Sequence, residues 1–245
     1  MEPIDVALRF GVLALENGGT GALADRAFAS VLKSAGVNDG FAVWRLDSAS
    51  GGRTCDGHAL VHAVGPVGVN LRRVWEIAAL TDRASRGAVP FDAFDAEIDH
   101  IAALGPSYGP WTTVAATALL AGLFARTQNG DWAGFLIAAG AAAAGQAVRV
   151  WLLARQMAIP AATFAAALLS AVTAAFGLQF RLVSDAPGTL MAAVIYLIPG
   201  LPLINGFFDM VTPRFLVLGA QRLASAVLIV TLTAIAVALA VAVMR

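Results

Sequence analysis

Charge is scarce in this chain. Asp, Glu, Lys and Arg make up 13% of its 245 residues, about half the roughly 25% usual in soluble globular domains, while 59% is apolar. That balance argues against an ordinary cytosolic enzyme. A surplus of either sign is also lacking, because 16 Lys and Arg cancel 16 Asp and Glu. Nothing is left over to neutralise a phosphate backbone, so no nucleic-acid partner is expected. Cysteine is limited to Cys55, which excludes an internal disulfide and the several thiolates of a structural zinc or iron–sulfur centre. No cofactor is expected. The opening segment Met1–Asn17 carries Glu2, Asp5, Arg9 and Glu16 and lacks a basic start followed by an apolar run, so it does not read as a secretory signal. The first part of the chain is therefore expected in the cytoplasm.

The few charges are unevenly spread. Residues 111–245 hold only three acidic side chains, Asp131, Asp185 and Asp209, and seven basic ones, leaving 13 acidic and 9 basic in residues 1–110. This divides the chain into a polar α+β domain over 1–107 and a membrane domain over 108–245. Runs near the ~20 apolar residues that cross a bilayer fall at about 111–125, 132–154, 160–178, 189–211 and 215–244. The expected fold is thus a polytopic α-helical membrane protein with about five transmembrane helices behind a small cytoplasmic α+β domain. The polar stretch Arg126-Thr-Gln-Asn-Gly-Asp131 suits a turn between antiparallel helices. Five crossings with the polar domain inside would put Arg155, Arg214 and Arg222 inward and Arg126, Arg181 and Arg245 outward, a weak positive-inside bias.

In the polar domain, Ile4, Leu8, Gly11, Val12 and Leu15 share one helical face, and Glu16-Asn-Gly-Gly-Thr-Gly21 breaks that helix. A second apolar stripe, Leu23, Ala27, Val31 and Leu32, runs to Gly36. Phe41–Leu46 alternates as a strand, Asp47–Gly52 reads as a turn, and the expected hairpin partner is Ala59–Val64. Asn70 is placed to cap a helix through Ala79, and Phe91–Leu104 reads as another amphipathic helix.

Chemistry-bearing patterns are weak here. Cys55, His58 and His62 have C-x2-H-x3-H spacing, but on a strand the two histidines would stand about 13 Å apart, too far to share an ion, so no metal site is expected. Gly18-Gly-Thr-Gly21 lacks the Gly-Lys-Ser/Thr ending of a phosphate loop and does not follow a strand, which favours a structural turn. No Gly-x-Ser-x-Gly elbow is present, and no catalytic residue is assigned.

Polar groups inside the apolar spans carry more meaning, since they are costly unless they line water or meet a partner. Gln146 and Arg149 lie three residues apart on one face of the second span, near the small residues Gly140 and Gly145. Arg149 either faces a cavity or snorkels to the boundary near Arg155. In the fourth span, Ile198-Pro-Gly-Leu-Pro-Leu-Ile-Asn-Gly-Phe-Phe-Asp209 puts two prolines around a glycine, a break that belongs beside a cavity rather than in lipid. Half-helix ends of this kind bind ionised groups in transporters. Asn205 and Asp209 follow at i,i+4 on one face; the alternative is a helix ending at Pro199 that leaves Asp209 solvated.

The run Pro199–Asp209, the amphipathic stretch with Arg222 and the long last span resemble the membrane signature of the bacterial threonine/serine exporter family. The opening helix ending in Glu16-Asn-Gly-Gly, the small αβ domain and the helix Val69-Asn-Leu-Arg-Arg-Val-Trp75 are similar to that family's large component. The resemblance implies secondary export of threonine and serine, or of small dicarboxylates, from the cytoplasm across the bacterial inner membrane, driven by an ion gradient. It also implies a partner: a smaller membrane subunit of the same family, as in its two-chain form, or further copies of this chain in a homo-oligomer.

On that basis Arg149 is expected to pair with a substrate carboxylate, Gln146 and Asn205 to orient it, and Pro199 and Gly200 to form the break that lines the site. Asp209 is the expected coupling residue, meeting the substrate amine or a proton. Two readings of other classes stand beside this one. The first is a membrane-anchored hydrolase-like enzyme using Asp25, Asp56, His58 or His62, and the second is a scaffold for a partner subunit.

Overall fold

The computed structural model describes residues 2–54, 57–128, 130–180 and 183–243. It falls into two compact units, one of Met1–Ser107 with Gly200–Ala224 and one of Tyr108–Pro199 with Ser225–Arg245.

In the first unit, α1 (Pro3–Glu16) and α2 (Gly21–Ser34) pack on a three-stranded antiparallel sheet. Proline at the start of α1 costs no helical hydrogen bond, and the Thr20 hydroxyl caps α2 by accepting the Leu23 N–H, relieving one donor that the first turn leaves unpaired. The sheet differs from the expected hairpin. Strand β1 (Gly40–Trp44) pairs not with the third strand but with β2 (Ser48–Arg53), the segment read as a turn, and β2 in turn pairs with β3 (Ala59–Ala63). The reason lies in close approach. A Cβ at Gly51 would stand 2.8 Å from the Phe41 carbonyl oxygen and 3.0 Å from Leu8, so the central strand is made of small residues that look like a loop. Helix α3 (Leu71–Ser85) is capped by Asn70 as expected and runs six residues past Ala79. A 3-10 turn at Phe91–Ala93 leads into α4 (Phe94–Ala103). The core joins Leu8, Phe10, Trp44, Ile77 and Phe94 with Phe215 and Leu218.

The second unit is helical: α5 (Pro110–Thr127), α6 (Trp132–Ala154), α7 (Ile159–Leu178) and α8 (Ala186–Val194), which runs into a 3-10 turn at Ile195–Leu197. Its buried positions are mostly alanine, among them Ala138, Ala142, Ala166, Ala167 and Ala174; small side chains let helices approach closely where apolar burial gives little drive. Beyond it in sequence, α9 (Gly200–Met210) belongs to the first unit, and α10 (Leu216–Val243) is continuous through Ala224.

Among the described residues, Trp132–Ala154, Ile159–Leu178 and Pro213–Val243 are long and apolar enough to cross a membrane, and Ala186–Leu197 with Gly200–Met210 would be a fourth if counted as one broken span. Helix α5, expected as the first span, is not among them. Thr112, Thr113, Thr117, Arg126 and Thr127 dilute its apolar content. The break falls at Ile198-Pro199 because proline pushes the residue before it out of the helical region, and Ile198 is extended with ψ 123. Pro202, by contrast, sits in the first turn of α9, where proline is tolerated.

Two arginine–tryptophan stacks mark the ends of α6. Arg126 lies over Trp132, 4.9 Å from the ring centroid, and Arg155 lies over Trp151 at 5.1 Å. Nineteen residues of helix separate the two rings, about 28 Å at 1.5 Å per residue, against roughly 30 Å for a hydrocarbon core. Both tryptophans are exposed, as residues of an interfacial aromatic belt are.

Candidate functional site

The predicted site residues fall into two groups, one in each unit. In the first unit Asn205 and Asp209 do lie on one face of α9, and both are buried. Helices α9 and α10 cross where two glycines meet: a Cβ at Gly219 would come within 2.7 Å of the Gly206 carbonyl oxygen. This crossing carries Arg222, one turn further along α10, to Asp209. Arg222 Nη1 donates to Asp209 Oδ2 at 2.6 Å, with the two side chains only 4% and 2% exposed.

The pair closes on the Gly18–Gly21 turn. Asp209 Oδ1 accepts the Gly21 N–H at 2.9 Å, Arg222 Nη2 donates to the Gly19 carbonyl at 2.7 Å, and Asn205 Nδ2 donates to the Gly18 carbonyl at 2.7 Å. A carboxylate at the first residue of α2 is also favoured by that helix's positive end. The turn requires glycine: Gly18 has φ +90, and a Cβ at Gly21 would stand 3.1 Å from Asp209 Oδ1. Further bonds tie the same stretch to the unit. Arg214 pairs with Asp25 at 2.7 Å, Trp44 Nε1 donates to Asp25 at 3.2 Å, and Gln221 Oε1 accepts the Leu46 N–H at 2.9 Å. The opposite side of α9 exposes Ile204, Phe207 and Phe208, so this helix buries its polar face and presents its apolar one.

The second group lies on α6 and the helices packed against it. Ser170 of α7 donates to the Ala141 carbonyl at 3.0 Å and pairs with the Tyr196 hydroxyl at 3.1 Å. Gly145 makes room for both, since its Cβ would come 2.0 Å from Ser170 Oγ and 2.4 Å from the Tyr196 hydroxyl. Next to Gly145, Gln146 is 5% exposed and its Oε1 has no partner, and one turn on Arg149 is half-buried with its Nε shielded and unpaired. Among the described residues no carboxylate pairs with Arg149. The acids of this unit are occupied elsewhere: Asp131 accepts the Gly134 and Ser184 N–H groups at 2.7 and 2.8 Å, and Asp185 accepts the Gly188 N–H at 3.1 Å. The bonds from Gly134 and then Ser184 hold the Asp131 carboxyl below the ordinary carboxylate range. Thr163, 1% exposed on α7, is a third residue with an unpaired polar atom, its Oγ1.

Pro199 and Gly200 mark the break itself, at the last residue of one unit and the first of the other, and a Cβ on Gly200 would meet nothing within 4 Å. Sequence reasoning missed Arg222 as the partner of Asp209, and it missed Thr163 and Tyr196. For Arg222 a signal existed, a lone cation in a long apolar helix with a lone carboxylate shortly before it.

The residues considered for an enzyme do not assemble. His62 Nε2 is 2.9 Å from Asp5, Asp25 is engaged by Arg214 and Trp44, and His58 is exposed. Cys55 and Asp56 lie outside the described residues. A cavity of about 330 Å³ is lined by Glu16, Asn17, Asn70 and Arg73 among others. Its polar groups hold backbone: Glu16 accepts the Gly65 N–H and Arg73 donates to the carbonyls of Leu104 and Ala102. No nucleophile stands beside a base there.

Residues 5–244 match a family described as "Putative threonine/serine exporter" (ThrE). The chain is also similar to a protein of Klebsiella aerogenes named "Probable succinate transporter subunit YjjP", with 30% identity over 146 residues, covering 58% of this chain and 55% of the relative. The match therefore spans about half the length of that curated relative. No solved structure matches.

Proposed function

The chain belongs to the threonine/serine exporter family, and from that premise we propose that it is a subunit of a secondary exporter for small amino acids or small dicarboxylates, not an enzyme. One observation carries the reading: Arg149, a cation in an apolar helix with no carboxylate partner among the described residues, stands one turn from Gln146, whose carbonyl oxygen is also unpaired. An unneutralised charge at membrane depth is costly unless something completes it. A substrate carboxylate does so, and an arginine is well suited to bind one through two parallel bonds. Gln146 orients the bound solute.

The clasp of Asn205, Asp209 and Arg222 on the Gly18–Gly21 turn has a different task in this scheme. Asp209 is the coupling residue and Arg222 its counter-ion; a proton taken up by the carboxylate weakens the ion pair and releases the turn. Asn205 holds the turn, and the break at Pro199-Gly200 supplies the flexible joint.

With α5 counted as a crossing although it is less apolar than the other spans, five crossings, α5, α6, α7, the broken pair α8 and α9, and α10, would put Arg126 and Arg155 on opposite faces of the bacterial inner membrane. The bonds of Arg214 and Arg222 to residues 19 to 25 support putting those cations on the same, cytoplasmic, side as the N-terminal unit. Five crossings are few for a transporter built of two repeats, which favours a smaller membrane partner of the same family or a homo-oligomer.

The test is counterflow of labelled threonine, serine and succinate in proteoliposomes, with and without the smaller subunit, under imposed pH gradients. Uptake of one solute that depends on Arg149 is the expected result. Folded protein that moves none of the three in any combination would overturn the proposal.

A further inference from the structure

Four threonines in helices are buried among the described residues: Thr81, Thr163, Thr189 and Thr233. Three of them turn the hydroxyl back to the carbonyl four residues earlier, Thr81 to Ile77 at 2.7 Å, Thr189 to Asp185 at 2.8 Å and Thr233 to Ile229 at 2.9 Å. This is the ordinary way for a helix to satisfy a buried threonine. Thr163 has the same option at Ile159 and does not take it; its Oγ1 is sealed from solvent without a partner. A buried hydroxyl left unpaired is unfavourable, and each such group in a native structure calls for a specific reason.

The packing of α6 on α7 places this hydroxyl. Ser170 bonds the Ala141 carbonyl, and Gly145 lies against the Ala166 carbonyl, 2.7 Å from where a Cβ would be. The helices run antiparallel, so one further turn along each sets Arg149 level with Ala162 and Thr163. Three unsatisfied polar groups thus gather on one seam: a guanidinium that only donates, an amide oxygen that only accepts, and a hydroxyl that does either.

We propose that Thr163, with Gln146, recognises the second polar group of a carboxylate solute bound at Arg149 and thereby sets which solutes are accepted. The inference rests on the reading of Arg149 as the carboxylate-binding residue. An ionised dicarboxylate offers only acceptors and leaves the Gln146 oxygen unpaired. A solute bearing a carboxylate and a nearby hydrogen-bond donor, an ammonium or a hydroxyl, satisfies all three groups.

The test measures binding of threonine, serine and succinate to the purified full chain, with its partner subunit if binding requires one, for the wild type, Gln146→Leu, Thr163→Val, Thr163→Ser and Arg149→Gln. Gln146→Leu, which removes the acceptor that a dicarboxylate leaves unpaired, is expected to lower the ratio of amino-acid to succinate affinity by about tenfold or more, the worth of a hydrogen bond to a charged group, whereas Thr163→Val weakens all three solutes and Thr163→Ser restores them. Arg149→Gln weakens all three solutes together. An unchanged ratio in Gln146→Leu, or unchanged affinities in Thr163→Val, with normal binding by the wild type, overturns the role of that residue and leaves the carboxylate reading intact. Wild type that binds none of the three, or Arg149→Gln that binds all three normally, overturns both. Melting curves of the valine variant separate loss of fold from loss of contact.

Discussion

Arg222 and Asp209, thirteen residues apart on successive helices, form a 2.6 Å ion pair that is almost fully withdrawn from solvent and whose remaining valences go to the backbone of a four-residue turn. A pair of this kind adds little over an apolar replacement, but breaking it from one side leaves a buried charge without a partner. Changing either member alone is therefore expected to cost more than neutralising both together.

Arg222→Ala should destabilise the protein by about 3–5 kcal/mol, and Asp209→Ala by a similar amount. The combined change Asp209→Asn with Arg222→Gln removes both charges and should cost clearly less than the sum of the singles. Thermal melting in detergent measures all of these, and additive losses would show that the pair does not act as a unit.

The coupling role separates from stability in a second measurement. Asp209→Asn is expected to retain exchange of solute across the membrane and to lose acceleration by an imposed pH gradient. Transport with the wild-type dependence on pH would remove Asp209 from the coupling scheme.

Arg149→Gln should raise the half-saturating concentration of a transported carboxylate by about 10- to 100-fold, the range for charge-assisted bonds worth roughly 1.5–3 kcal/mol. Its melting temperature should not fall, because no bond within the described residues depends on that guanidinium. Normal affinity in this variant would remove the carboxylate assignment.

Gly145→Ala tests the packing that supports the second group. The added methyl would stand 2.0 Å from Ser170 Oγ and 2.7 Å from the Ala166 carbonyl, and overpacking of this sort costs about 1–3 kcal/mol. The expected result is lower thermal stability together with impaired transport; a neutral alanine would mean that α6 and α7 separate easily.

Acid should loosen the turn between α5 and α6. The Asp131 carboxyl lies below its usual range because it accepts the Gly134 and Ser184 N–H groups, so its contribution is present above the unfolded value, near pH 4, and fades as pH falls through the lower folded value. Asp131→Asn should flatten that acid limb in a pH series of melting temperatures.

Much of the first unit was legible in the residues. Periodic apolar positions mark α1, α2 and α3, and the Asn70 cap opens α3; those signals act within a few residues of each other. The central strand was not legible, because Ser48–Gly52 consists of small residues, with Gly51 lying against Leu8 of α1, and smallness reads as a loop when the neighbour is unknown. Likewise the shared face of Asn205 and Asp209 followed from their spacing, whereas their partners did not. Arg222 reaches Asp209 through a crossing of helices at Gly206 and Gly219, and the turn they grip lies nearly two hundred residues earlier. Thr163 carried no signal at all, since a helical threonine ordinarily satisfies itself.

The arginine-stacked tryptophans at the two ends of α6 work as a fixed gauge. About 28 Å of helix between them cannot adapt to every bilayer: a thicker one forces the lipid to thin or the rings to leave their preferred depth, and a thinner one forces the helix to tilt. Because Gly145, Gln146 and Arg149 lie between those two marks, tilt would carry the seam with α7 along with it. If the seam binds solute as proposed, acyl-chain length is expected to alter solute handling without any mutation.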